Sequence, residues 1–170
     1  MGNVTANFSR YEFACKCGCA LNDPHPVLIV SLQELMELVK QDSDLPPHFA
    51  VTGPGRCVSH NISVGGAEDS QHLISLENGY YNAVDGHIFF INDRAEQSRL
   101  PLRKFYEFAK QVPAFESGGI GVYFDKRGPR LHLDVRRTGR ARWARLNGKK
   151  SFIENVFTAS DEWEETQGFQ

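Results

Sequence analysis

Two imidazoles and a carboxylate, with a fourth position left open, are what a catalytic zinc site is commonly built from. The stretch SQHLISLENGYYNAVD, residues 70–85, supplies His72 and Asp85 on either side of a polar, aromatic insert. Far downstream, RLHLDVR supplies His132 and, two residues on, Asp134. Residues i and i+2 of a strand share a face. Asp134 is therefore placed either to take a proton beside the metal or to fix the ring of His132 from behind. His87, two residues past Asp85, is a further candidate ligand ranked below it. Taken singly, each of these residues is ordinary in a chain with six histidines, where surface or hydrogen-bonded core positions are the rule.

Four cysteines form a second group with ligand chemistry: Cys15, Cys17 and Cys19 in the run ACKCGC, and Cys57 alone. Their C-x-C-x-C spacing differs from the C-x-x-C of zinc ribbons. A structural metal held by all four, a disulfide from Cys57 to one of the three, and free thiols all stay open, and a reducing compartment favours the first and last.

The elements that must position these groups follow from pattern. Ser9 and Glu12 in FSRYEF make an S-x-x-E capping box, with Phe8 and Phe13 as a hydrophobic staple, so a short helix is expected there. Leu28, Leu32, Leu35 and Val39 recur at helical spacing over residues 27–40 and predict an amphipathic core helix. HFAVTG reads as a strand, and the Ser-, Asn- and Gly-rich segment after Arg56 as an irregular loop delivering Ser70 and His72. NAVDGHIFFI reads as a strand, and residues 100–112 as a second amphipathic helix stopped by Pro113. GGIGVYF and RLHLDVRR predict two antiparallel strands joined by a tight turn. Segregated helices and an antiparallel sheet define an α+β domain.

At 170 residues one domain with a real core is expected, and 41% apolar with 24% charged residues excludes extended disorder. A net charge of −2 gives no overall footprint for nucleic acid, although arginines and lysines crowd residues 127–150 and acids crowd residues 154–165. That basic segment is either an anion-attracting face or a solvated one partly neutralised by the acidic residues. No apolar run approaches the roughly 18 residues of a membrane span, and residues 1–13 lack the basic start and apolar core of a signal peptide. A monomer that is cytoplasmic as synthesised is the expectation.

FSRYEFACKCGC, TGPGRCVSHNISVGGAEDSQHL, AVD, GGIGVYF and RLHLDVRRTGRARW occur in that order and together resemble the zinc D-alanyl-D-alanine peptidases of bacterial cell-wall metabolism, in particular their small phage and prophage branch. The resemblance spans roughly residues 8–145, leaving residues 151–170 as an acidic tail after a peptidase-like domain of residues 1–150. It implies the fold shared with hedgehog signalling domains, Zn2+ held by His72, Asp85 and His132, and a peptidoglycan peptide as substrate, reached after phage-mediated release. Arg56 is then expected to pair with a substrate carboxylate, which its planar guanidinium suits, and Ser70 to hydrogen-bond the substrate or orient the site. His60 and Asn61 match scaffold positions. The family spaces its first His and Asp by seven residues, whereas here thirteen separate them and SLENGYYN fills the gap. Two readings of that insert stay open: it loops out over the cleft and reshapes substrate choice through Tyr80 and Tyr81, or it marks a degraded zinc site.

Overall fold

Alternation along the strands separates two kinds of face. Val84, Ile88 and Phe90 of β2 (Ala83–Ile91), Ile120 and Val122 of β4 (Gly119–Asp125), and Leu131 and Leu133 of β5 (Gly128–Asp134) are all buried in the apolar core. The intervening residues, among them Asp85, Tyr123, Arg130, His132 and Asp134, therefore share the opposite face. The computed structural model from which this architecture is taken describes residues 2–76 and 78–166.

One sheet runs through the chain in the order β1-β2-β5-β4-β6-β7, with β1 at Pro47–Gly53, β6 at Ala141–Leu146 and β7 at Lys149–Ser151. The short β3 (Gln97–Arg99) takes the edge of β2 at Phe89–Ile91, beyond the Ala83–Gly86 stretch that pairs with β5. The sheet departs from the expected antiparallel one in a single pairing: β4 and β6 are parallel. After β5 the chain passes β4 and lays β6 along its free edge. The architecture is thus mixed α/β, a single sheet flanked by helices.

Helices α1 (Pro26–Gln41), α3 (Leu102–Gln111), α4 (Pro113–Ser117) and α5 (Ile153–Thr166) contribute buried apolar side chains to the core. In α1 these are Leu28, Ile29, Leu32, Leu35, Met36 and Val39, and each such side chain contributes about 1.5–3 kcal/mol when fully buried. Pro26 starts the helix at a position that needs no amide hydrogen, and His25 Nδ1 accepts from Val27 N at 3.1 Å. Pro113 does end α3, but it also begins α4.

Two further expectations change. The loop after Arg56 contains helix α2 (Val58–Ser63), whose Asn61 is buried. The acidic tail is no tail over its described length: Val156 and Phe157 of α5 are buried, and Glu164 Oε1 accepts from Leu102 N at 3.3 Å and Ser160 Oγ at 2.9 Å. Its period of Val156, Phe157, Ser160 and Glu164 is a helical stripe, which the surrounding acids obscure in the sequence. Residues 167–170 lie outside the described residues. The described acids of α5 do not neutralise the basic segment either: Glu154 and Asp161 pair with Arg103, while Arg140 and Arg142 pair with Glu116. Among the described residues no helix is long and apolar enough to cross a membrane.

Candidate metal centre

Strand register brings the ligand types together. Asp85 on β2 lies directly opposite His132 on β5, and His132 lies opposite Gly121 on β4. His72 reaches the same place from a loop held to the segment before α2: Arg56 N donates to His72 O at 2.7 Å, and His72 N donates to Ser70 Oγ at 3.3 Å.

Three atoms converge. His72 Nε2 is 3.1 Å from His132 Nδ1 and 3.3 Å from Asp85 Oδ1, and His132 Nδ1 is 3.0 Å from the same oxygen. Ligands at about 2.0–2.1 Å around a tetrahedral zinc would be about 3.3 Å apart. The outer nitrogens are also occupied: His72 Nδ1 lies 3.0 Å from Pro54 O, and His132 Nε2 lies 3.0 Å from Asp134 Oδ2. Both outer partners are acceptors, so each ring places its proton outward and its lone pair inward. With both rings neutral and their protons outward, two lone pairs and a carboxylate oxygen face one another; with a ring charged, Asp85 Oδ1 accepts the inward proton instead. A cation resolves the first arrangement, and the residues fit one.

The local electrostatics favour the ligand forms of Asp85 and His72. Burial alone would raise the Asp85 carboxyl, yet the two imidazoles hold it well below the usual carboxylate range. Burial dominates at His72 and lowers it, favouring the neutral ring that a metal requires. At His132 burial, which lowers it, is outweighed by the Asp134 and Asp85 carboxylates, which raise it and favour the charged ring in the metal-free protein, so a metal there must displace the inward proton.

Asp134 is fully buried behind His132, away from solvent. Burial would raise its carboxyl, but His132 and Arg136 hold it depressed, with Arg136 Nε donating at 2.8 Å and its backbone amide at 3.1 Å. Of the two positions open to it from the sequence, Asp134 occupies the one that orients the imidazole. His87 stands outside the converging group: its ring tilts against Phe89, centroids 6.1 Å apart.

Arg56 sits at the rim, with Nη2 3.6 Å from Asp85 Oδ2 and Nη1 donating to Asn61 Oδ1 at 3.2 Å. Asn61 in turn donates to Ala67 O at 2.9 Å and so braces the turn leading to Ser70. Beside the three ligands lies a cleft of about 420 Å³ lined by Arg56, Asp69, Ser70, Tyr123, Arg130 and Trp143 among others. Its walls also include Arg127, Arg136 and Arg145, and the cleft arginines are largely paired: Arg127 and Arg130 with Asp125, Arg136 with Asp134, and Arg56 with Asp85.

The insert behaves differently from expectation. Tyr81 is fully buried and donates from its hydroxyl to Phe13 O at 2.7 Å, so it belongs to the core and not to a cleft wall. Tyr80 is partly exposed, edge-on to His25, and lines a separate groove with Leu73, Ile74 and Leu76. Tyr81 ties this stretch to the N-terminal segment, its N and O bonding Asp23 O and His25 N.

Tyr123 and Trp143 carry roles that residue chemistry alone did not single out. Trp143 Nε1 donates to Tyr123 Oη at 2.7 Å, and its indole packs on His132 with centroids 5.0 Å apart. Gly121 permits this: a Cβ there would run into the indole. Gly119 likewise leaves room for the Asp134 carboxylate, which gives the G-G-x-G spacing a steric cause.

No protein-family model, curated protein or solved structure matches the chain. Fold and site by themselves define a mixed α/β protein with a His–Asp–His group able to hold a metal ion. A second such group, Cys15, Cys17, Cys19 and Cys57, lies apart from it.

Proposed function

We propose that this chain is a zinc-dependent peptidase that hydrolyses peptidoglycan stem peptides, as a carboxypeptidase or endopeptidase at a bond involving a D-amino acid. The observation that carries the metal assignment is the inward-facing triangle of His72 Nε2, Asp85 Oδ1 and His132 Nδ1, with both outer ring nitrogens satisfied. The motif order described above supports the substrate class, and with it the hedgehog-type fold.

Zinc bound there supplies Lewis acidity, polarising a scissile carbonyl and lowering the pKa of water to about 7. The chain's own residues do the rest. Asp134 and Pro54 O hold the two rings in the required tautomers. Arg56, anchored by Asn61 and Asp85, presents its remaining donors to a substrate carboxylate. Ser70 fixes the His72 backbone at the cleft edge. For proton transfer, Asp134 is enclosed, and Asp125 is committed to Arg127 and Arg130. Asp69 is the cleft carboxylate left to accept the proton.

A second reading, a cell-wall-binding or phage structural module with little turnover, draws on that same commitment of Asp125 and Asp134 to ion pairs. Mass spectrometry of peptidoglycan fragments incubated with zinc-loaded protein, beside a chelated sample, separates the two. Chelator-sensitive cleavage supports the peptidase and identifies the bond. Intact fragments after incubation with folded, zinc-loaded protein refute it in favour of the binding module.

A further inference from the structure

The cysteines lie away from the His–Asp–His group and take no part in the proposed chemistry. In an extended chain, alternate residues of C-x-C-x-C would stand about 6.8 Å apart. Here the segment curls: Gly18 has φ +80° and Ala20 φ +63°, and Cys15 N and O bond Leu21 O and Gly18 N. The three sulfurs thereby meet the fourth, from Cys57, across about forty residues of chain. Cys15 Sγ is 3.4 Å from Cys17 Sγ, which is 3.6 Å from Cys57 Sγ, and all four sulfurs lie within 4.8 Å of one another. Four thiolates at about 2.3 Å from a tetrahedral zinc would be about 3.8 Å apart.

Polar groups surround two of the four sulfurs. His60 N donates to Cys57 Sγ at 3.4 Å, His60 Nδ1 stands 3.1 Å from Cys15 Sγ, and Ser59 Oγ lies 3.6 Å from Cys57 Sγ. Such polar contacts around the ligands are what tune and orient a metal site. A disulfide would use two sulfurs and leave two others crowded against it, whereas one ion uses all four.

We propose that Cys15, Cys17, Cys19 and Cys57 hold a second, structural zinc ion that fastens the N-terminal segment to the loop carrying Arg56. That segment has a four-residue 3-10 turn (Arg10–Phe13) before α1 and is anchored in the core by Phe8 and Phe13, so the ion would add a second fastening on the far side of the turn. Cys57 adjoins Arg56, whose backbone amide bonds His72 O. The tetrathiolate ion thus steadies both the cleft arginine and one ligand of the other site, and its existence does not depend on the peptidase reading.

The test is metal analysis of the full chain purified under reducing conditions, with cobalt substitution of the same preparation. Two ions per chain are expected, and the cobalt form should show a near-ultraviolet thiolate-to-metal charge-transfer band that a site of two imidazoles and a carboxylate lacks. His72→Ala should keep the band while losing one ion. Cys17→Ser combined with Cys19→Ser should lose the band and the other ion. Should that variant not fold, titrating the unaltered protein with an organomercurial answers the same question: one zinc per chain should be released as the four thiols react. A folded, unaltered chain giving no sulfur band, no zinc release on mercurial treatment, or two thiols locked in a disulfide overturns the proposal.

Discussion

Replacing Asp134 by Asn tests how the metal centre is held. The carboxylate accepts from His132 Nε2 at 3.0 Å, so it fixes the ring that offers Nδ1 inward. An amide can present its NH2 group to that nitrogen, which favours the wrong tautomer, or its oxygen, which keeps the tautomer but not the charge. Loss of an outer partner of this kind typically costs 10–100-fold in metal affinity, or about 1.4–2.8 kcal/mol. Arg136 also loses its charged acceptor, but its side chain is 22% exposed and can rehydrate. The metal-free protein should therefore lose only about 1–3 kcal/mol of stability. Zinc affinity is measured by competition with a chromophoric chelator, stability by urea unfolding in the presence of a chelator, and turnover at saturating zinc. Weaker zinc binding with turnover largely restored by added zinc is the expected pattern. Wild-type zinc affinity with turnover lowered 100-fold or more would refute the placement and make Asp134 the proton acceptor.

The other predictions concern sites around this centre. Asp125→Asn should leave zinc affinity unchanged but destabilise the fold by about 3 kcal/mol, because Arg130, nearly buried, loses its bidentate partner. Arg130 above all holds the Asp125 carboxyl below its usual range. Its stabilisation is therefore present above about pH 4, the ordinary carboxylate value, and is lost as pH falls toward the folded-state value. Acid titrations should accordingly show a steeper loss for the unaltered protein than for the Asn variant, and parallel curves would contradict this. Tyr81→Phe should cost about 1–2 kcal/mol in urea unfolding, from the orphaned Phe13 carbonyl, with no change in KM; a KM effect without a stability effect would return Tyr81 to the cleft. Gly121→Ala should push the Trp143 indole off His132 and destabilise by about 1–3 kcal/mol, with a change in tryptophan fluorescence as the direct readout. Asp69→Asn should lower turnover by about 100-fold or more with zinc content unchanged, and unaltered turnover would remove Asp69 as the proton acceptor.

Much of the fold and of the metal-site geometry was legible because it depends on local period. The Leu stripe of α1 and the alternation in β2 and β5 appear in the chain as they do in space, and alternation alone put His132 and Asp134 on one face. What escaped was set by contacts at long range. Tyr81 has the composition of a surface insert, and only the Phe13 carbonyl, 68 residues away, makes it a core residue. The buried stripe of α5 is masked by acids that pair with Arg103. The parallel placement of β6 depends on which edge of the sheet is free, which no local pattern records. Whether Asp134 stands beside or behind the ion required the ring nitrogens to be located.

The direct pairing of Asp85 with His132 has a consequence for folding. Side chains alternate sides along a strand, so a one-residue slip between β2 and β5 would move one of these two groups to the apolar face. Only the native register brings both to the face where His72 meets them. Metal binding to the native pairing alone would then deepen that basin relative to every slipped one, and the ion would act as a proofreader of strand alignment. Refolding with zinc should yield fewer misregistered chains than refolding with a chelator followed by later addition of the metal.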